Sequence, residues 1–308
     1  MKVLVAGATG VVGRRLVPML LDQGHDVVGL VRSSRADDLA DLGAEIVGVD
    51  ALDSSAVLEA VRKAEPDAII HQLTALSGAA MRNFDRGFAR TNELRTTGTD
   101  NLLAAAKAVG VGRFVAQSYT NWTNDPNGPP VQDEEAGLDP NPIPTQRETM
   151  AGIAYLEREV PAAGGVVLRY GNFYGPGTHF SPGAEYEKLI RSGSFPIIGG
   201  GTGIWSFTHV DDAAGAAIAA LDHGAPGIYN VVDDEPAPVA EWLPVLAREL
   251  GAKPPRRVPT WLGRLLAGPA VAHLSTRVRG SANAKAKAEL GWTPRYPSWR
   301  DGFRDGRG

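Results

Sequence analysis

The first thirteen residues, MKVLVAGATGVVG, place glycines at Gly7, Gly10 and Gly13, directly after the apolar run Val3 to Ala6. An amphipathic run (Val11, Val12, Leu16, Leu20 and Leu21) follows and stops at Gly24. A strand, a glycine-spaced turn and a helix in that order leave few folds open. The first two glycines permit a tight turn and close approach of a pyrophosphate, and the third lets the helix pack on the strand. The N–H groups at the helix start then face the anion. The spacing alone is weak in a chain with 37 glycines among 308 residues, but its place after a strand and before a helix marks a dinucleotide site.

What ends the second strand, His25 to Arg32, bears on the choice of dinucleotide. An acidic residue there would bind ribose hydroxyls, whereas Arg32, Ser33 and Arg35 offer cations and a hydroxyl that suit a 2′-phosphate. NADP is therefore expected, with NAD the alternative in which both arginines are merely solvated. A third strand, Glu45 to Val49, closes on Asp50, which can accept from the adenine amino group, while Asp53 is placed to cap a helix over Ser54 to Ala64. The fourth, Asp67 to Leu73, carries His71 on a central strand, where a buried, hydrogen-bonded imidazole is the expectation, and leads into the small-residue turn Thr74-Ala75-Leu76, where a cofactor is expected to pass close to the backbone at Thr74 and Ala75. A long helical stretch ends at Gly110. The fifth strand, Arg113 to Ser118, delivers Ser118, Tyr119 and Asn121 to the carboxyl edge, where doubly wound sheets bind ligands. A loop over Asn124 to Pro144 is a candidate lid; a helix from about Gln146 to Val160 and a strand from Val166 to Tyr170 follow. Further on come a helix over Ala184 to Ser192, a helix capped by Asp211 or Asp212, a strand over Gly227 to Val232, a helix over Pro238 to Leu250, and a tail in which Trp261, Trp292 and Trp299 would pack as a second layer.

Alternation of strand and helix says α/β, and the length suits about two domains. No apolar run approaches the ~20 residues that span a bilayer, and the chain starts in a strand rather than a basic signal segment, so a cytoplasmic protein without a membrane partner is expected. Zero cysteines exclude disulfides and thiolate chemistry, six scattered histidines show no metal-ligand spacing, and a net charge of −4 offers no basic field for nucleic acid.

These stretches, with HQLTA, GTDNLLAAA, RFVAQS, LRYGNFYGPG, FTHVDDAA, GIYNVVDDEP and ELGWTPRYPSWRDG, resemble the extended short-chain dehydrogenase/reductase superfamily in its NAD(P)-dependent epimerase/dehydratase branch. The resemblance implies a Rossmann-type doubly wound parallel sheet with a smaller C-terminal substrate-binding domain, and a homodimer. The Rossmann part would take residues 1–172 and about 205–232, and the substrate domain about 173–204 and 233–308. Carried over, Gly7, Gly10, Gly13, Arg32, Asp50, Leu52 and Tyr170 would line the cofactor, and Asn172 would face a substrate phosphate where the substrate is a nucleotide sugar. Thr9, Val11, Val12, Ala51, Leu73, Gln117, Asn172 and Phe173 complete the expected cofactor wall.

The chain also departs from that pattern. The family's Tyr-x-x-x-Lys puts both side chains on one helix face, where the lysine lowers the phenol's pKa. Here Thr149 and Ile153 occupy those positions, no tyrosine has a lysine four residues on, and no lysine occurs between Lys107 and Lys188. The family's serine or threonine after the fifth strand aligns with Tyr119, and Trp205 stands where nucleotide-sugar enzymes tend to have arginine. Three readings follow: an oxidoreductase acting on a small carbonyl or hydroxyl group, with Tyr119 as relocated acid helped by Ser118, Thr149 or Arg147; a non-redox isomerase, cyclase or lyase; or a non-catalytic NADP-binding sensor or scaffold. The first is the expectation. Phe173, Tyr174, Phe180, Tyr186, Trp205 and Phe207 hint at an apolar or ring-bearing small molecule, although core packing explains most of them as well.

Overall fold

The computed structural model describes residues 1–32, 43–75 and 83–307. Seven parallel strands form the central sheet: β1 (Lys2–Ala6), β2 (Asp26–Val31), β3 (Glu45–Gly48), β4 (Ala68–His71), β5 (Arg113–Tyr119), β6 (Val166–Tyr170) and β7 (Gly227–Val231). Their order is β3-β2-β1-β4-β5-β6-β7, so the winding reverses between β1 and β4. Both faces of the sheet are covered, which is why its strands read as unbroken apolar runs. Val3, Val5, Val115 and Leu168 pack against α1 (Gly13–Asp22) and α7 (Val210–Asp222). Leu4, Ala6, Ile69 and Val167 pack on the other side against α2 (Ser54–Ala64), α4 (Thr99–Val109) and α5 (Arg147–Ala162).

Local rules account for many helix ends. Asp53 caps α2 by accepting from the N–H groups of Ser55 and Ala56, and α4 ends on the left-handed Gly110. The start of α7 departs from expectation: His209 is the cap, its Nδ1 accepting from the N–H of Asp211. Asp211 pairs instead with Arg15, and Asp212 takes the N–H groups of Arg295 and Tyr296 from the C-terminal tail. Between α3 (Phe84–Glu93) and α4 the chain runs through a π-helical turn, Leu94–Gly98, which buries Arg95.

A third core joins the sheet's carboxyl edge to the C-terminal part. Tyr174, Phe180, Trp205, Phe207, Trp242, Trp299 and Phe303 lie buried in it, built on α6 (Glu185–Arg191), α8 (Val239–Glu249) and α12 (Trp299–Asp305). Edge-to-face rings fix this layer, as where Phe207 and Trp242 meet at 5.5 Å. The tail does not form a single layer. Trp299 is in this core, Trp292 joins Ala286 and Leu290 of α11 (Ala284–Leu290) beneath the sheet, and Trp261 of α9 (Thr260–Ala267) points into solvent ahead of α10 (Pro269–Thr276).

The loop expected as a lid is tied down. Val131–Gln132 pairs in parallel with Gly280–Ser281, and the Asn124 amide donates to the Gly280 carbonyl and the Ser281 hydroxyl. Those bonds, made by buried groups, remove the freedom a lid requires.

A buried ion pair sits behind β5. Arg169 of β6 donates through Nε and Nη2 to Glu157 of α5 at 2.8 and 2.6 Å, both side chains 4% exposed. Arg95 lies within the field of the same carboxylate, and burial holds its pKa down to about 10. One anion thus serves two buried cations. Glu157→Gln is expected to lower unfolding free energy by about 3–5 kcal/mol, read from the urea midpoint, and a change within error would show that the pair does not hold α5 to the sheet.

Candidate active site

Backbone crowding at the reversal of the sheet dictates the glycine turn. Gly7 has φ +92°, and a Cβ there would lie 2.6 Å from the Gln72 carbonyl oxygen, which follows β4. At Gly13 a Cβ would lie 2.4 Å from the Gly7 carbonyl oxygen, so α1 can sit this close only without a side chain. Gly10 donates its N–H to the Gly7 carbonyl and closes the turn. Among the described residues no side chain caps the start of α1; the N–H groups of Arg14 and Arg15 go to the carbonyls of Gly10 and Val12, which leaves the N–H groups of the turn before them to face an anion. Thr9, Val11 and Val12 belong to the same turn, with Val11 exposed.

Beside the turn, the ends of β2, β3 and β4 open a cleft lined by Arg32, Asp50, Ala51, Leu73, Thr74 and Ala75. All six were expected cofactor positions, and the cleft brings them together; Ser33 and Arg35 lie outside the described residues. Asp50 is already engaged, accepting from the Leu52 N–H and from Arg90 of α3 at 2.7 Å. Arg90 also lines the cleft and was not anticipated, because its partner stands 40 residues away. A dinucleotide fits these features: a side-chain-free cradle at Gly7 and Gly13, an uncapped helix start, and a groove with polar groups at its mouth.

The expected reaction centre is divided. Strand pleating sends Ser118 and Tyr119 to opposite faces of β5. Ser118 donates to Glu157 at 2.7 Å in the interior, behind the sheet, so it cannot assist Tyr119. Tyr119 is half-buried and donates to Asn172 Oδ1 at 2.9 Å. Burial pushes its phenol above the usual range, with Tyr186 adding to the shift; the group is a neutral donor rather than a poised acid. Asn172 in turn donates to Asn121, whose φ of +111° is held by its own amide on the carbonyls of Ile204 and Arg279. Thr149 is fully buried: its hydroxyl and N–H both donate to Asp85 at 2.9 Å, and Asn92 donates to the hydroxyl. Ile153 is core, and Arg147 is exposed at the first turn of α5.

Other expected positions move inward. Tyr170, placed against the cofactor by resemblance, is 1% exposed and hydrogen-bonds Gln72 and the Ala213 carbonyl. Phe173 meets its ring at 5.3 Å, tilted by 44°, and Gln117 is half-buried on β5. Tyr174, Phe180, Trp205 and Phe207 are core residues, which removes them from a substrate wall. Phe84 and Trp122, which meet at 5.1 Å, are core residues as well, and Trp122 backs the half-buried Tyr119 at 5.8 Å. His71 is buried as expected: its Nδ1 accepts from the Leu73 N–H, Nε2 bonds Thr99, and burial holds its pKa down to about 4.

The sequence profile of the NAD dependent epimerase/dehydratase family matches residues 3–231. The chain belongs to that family. It is 48% identical over 306 residues to a 3-diazoavenalumate denitrifying reductase of a Streptomyces species, an alignment covering 98% of this chain and 99% of the relative. It is 31% identical over 267 residues to a 2-alkyl-3-oxoalkanoate reductase of Stenotrophomonas maltophilia, covering 82% of this chain and 76% of the relative. Among solved structures, a Thermus thermophilus UDP-glucose 4-epimerase in complex with NAD superposes with a TM-score of 0.74 at 26% identity, over 99% of this chain and 97% of that one. These relatives make the epimerase/dehydratase-family chain an oxidoreductase of the short-chain dehydrogenase/reductase kind. Gly7→Ala should raise the Kd for a nicotinamide dinucleotide by about tenfold or more, about 1.4 kcal/mol per decade, in a fluorescence titration; unchanged affinity would separate the turn from the cofactor.

Proposed function

We propose that the chain is an NADPH-dependent reductase that removes a diazo group from a small aromatic molecule, leaving hydrogen in its place and releasing dinitrogen. The observation that carries this reading is the pair Thr149 and Ile153, which leaves the family's proton-transfer position without an acid while the nucleotide turn is intact. Reduction of a carbonyl requires a hydride and a proton. A diazonium carbon that receives a hydride from a bound nicotinamide forms a C–H bond, loses its C–N bond as dinitrogen and takes no proton from the protein. The departure from the family pattern and the activity named for the Streptomyces relative therefore point the same way.

The residues present suit that task. Tyr119, half-buried at the sheet's carboxyl edge and backed by the buried Trp122, offers an aromatic face to a ring or to a cationic group. Asp85, held by Thr149, brings a negative charge to the position that the family's tyrosine would occupy. Tyr119, kept neutral with its O–H donated to Asn172, orients a substrate by accepting a hydrogen bond at its phenol oxygen. On the cofactor side, Arg32 is exposed at the end of β2, and the carboxylate lining the same cleft, Asp50, is paired with Arg90. That leaves Arg32 for a 2′-phosphate. This reading replaces the expected carbonyl or hydroxyl substrate and withdraws the acid role from Tyr119.

The test is anaerobic incubation with an arenediazonium salt and NADPH deuterated at the transferring C4 position. Deuterium in the dediazotised product, formed above the protein-free rate and within about tenfold of wild type in Tyr119→Phe, is expected. Turnover of carbonyl substrates alone, lost in Tyr119→Phe, would return the acid role to that residue; conversion without NADPH oxidation would favour the non-redox reading. Separately, Arg32→Ala should weaken NADPH binding by about tenfold and leave NADH unchanged. Equal losses for both would remove the 2′-phosphate from Arg32.

A further inference from the structure

Three large apolar side chains left in solvent share one short helix. On α9, Trp261, Leu265 and Leu266 are 68%, 74% and 60% exposed, whereas the other exposed large apolar residues among those described, Met1, Val11 and Val131, lie apart in the sequence. The helix is held from its opposite side, where Gly263 packs so tightly on Ile198 that a Cβ would sit 2.4 Å from that side chain. α9 is thus a fixed part of the surface with its apolar face outward.

The flanking sequence carries charge of one sign. From Leu250 to Ala288 the chain contains eight Lys or Arg residues and no Asp or Glu, although the whole protein carries −4. Four of the cations adjoin the helix in sequence: Lys253, Arg256 and Arg257 lead into it, and Arg264 lies on it. All four are exposed, and none forms an ion pair with a described residue; Arg257 only reaches the Gly200 carbonyl.

We infer that α9 and its basic approach dock the protein onto an anionic lipid surface. Tryptophan and leucine on one face of a helix flanked by arginine form an interfacial pattern: the apolar residues enter the boundary between headgroups and acyl chains while the cations meet lipid charge. A protein partner is the poorer match. A stable protein interface covers about 800 Å² on each side, and an eight-residue helix about 12 Å long presents much less. A bilayer needs no complementary groove. No described helix is long and apolar enough to cross a membrane, so the contact lies on the surface without spanning it. The lack of a spanning run and of a basic signal segment, on which the expectation of no membrane partner rests, does not bear on a contact made at the surface. The inference does not depend on the reaction catalysed.

The protein carries its own reporter, since Trp261 is exposed and the other five tryptophans are buried. Purified full-length protein is mixed with vesicles of phosphatidylcholine alone or with an equal part of phosphatidylglycerol, some carrying brominated lipid. Expected are co-sedimentation with the anionic vesicles only, quenching of tryptophan emission by bromolipid, and release at raised salt. Trp261→Ser with Leu265→Ser, and separately Arg256→Glu with Arg257→Glu and Arg264→Glu, should each lower partitioning about tenfold or more while NADPH binding is kept, which shows that the variants fold. Absence of binding to anionic vesicles, or binding undiminished in Trp261→Ser with Leu265→Ser, overturns the proposal. So does a lipid-free dimer abolished by the same pair, which would assign the face to a second copy.

Discussion

Where β1 and β4 run side by side, the end of one strand meets the backbone of the other, and no side chain fits between them. The Gln72 carbonyl occupies the space a Cβ of Gly7 would need, and the Gly7 carbonyl does the same at Gly13. Both obstacles are main-chain atoms, which cannot rotate away as a side chain would. The turn, the tilt of α1 and the opening of the cleft between Arg32, Asp50 and Leu73 all follow from that approach. A sheet that reverses its winding here leaves a crevice at the carboxyl ends of its strands, and the glycines keep it empty of protein.

The polar residues expected to do chemistry are mostly engaged with one another. Ser118 serves Glu157, Thr149 serves Asp85, and Tyr119 serves Asn172. Each partnership lowers the cost of burying a polar group, and each also removes a candidate proton carrier. Burial raises the Tyr119 phenol and lowers the His71 imidazole, so both remain neutral near pH 7. Groups of this kind hold a substrate in place more readily than they exchange protons with it.

What could be read from the sequence was local or periodic. Apolar runs revealed β1 and β4 because both faces are buried, Asp53 declared its cap within three residues, and the glycines declared the turn. The errors are tertiary. His209 took the cap because Arg15 claims Asp211 and residues more than eighty positions away claim Asp212. Arg90 reaches Asp50 across 40 residues, and Ser118 finds Glu157 across 39. Tyr170 sits where the resemblance aligned it along the chain, yet it faces the core; alignment fixes a position without fixing the direction of a side chain. Trp261 carried the same aromatic signal as Trp299, and only the packing of Gly263 on Ile198 shows which way its helix turns.

The chain that leaves β5 is stitched into its own far end. Thr120 and Asn124 bond Ser281, Val131–Gln132 lies alongside Gly280–Ser281, and α11 then returns to seal β7 and α7 with Ala286 and Leu290. The C-terminal third is therefore a fastener for the nucleotide-binding half rather than an attachment to it. A graft that exchanged this third for that of a relative would have to bring the whole seam, including the loop after β5, or leave buried amides facing nothing. Changes of substrate in such an architecture come more readily by replacing single side chains within the seam than by swapping modules.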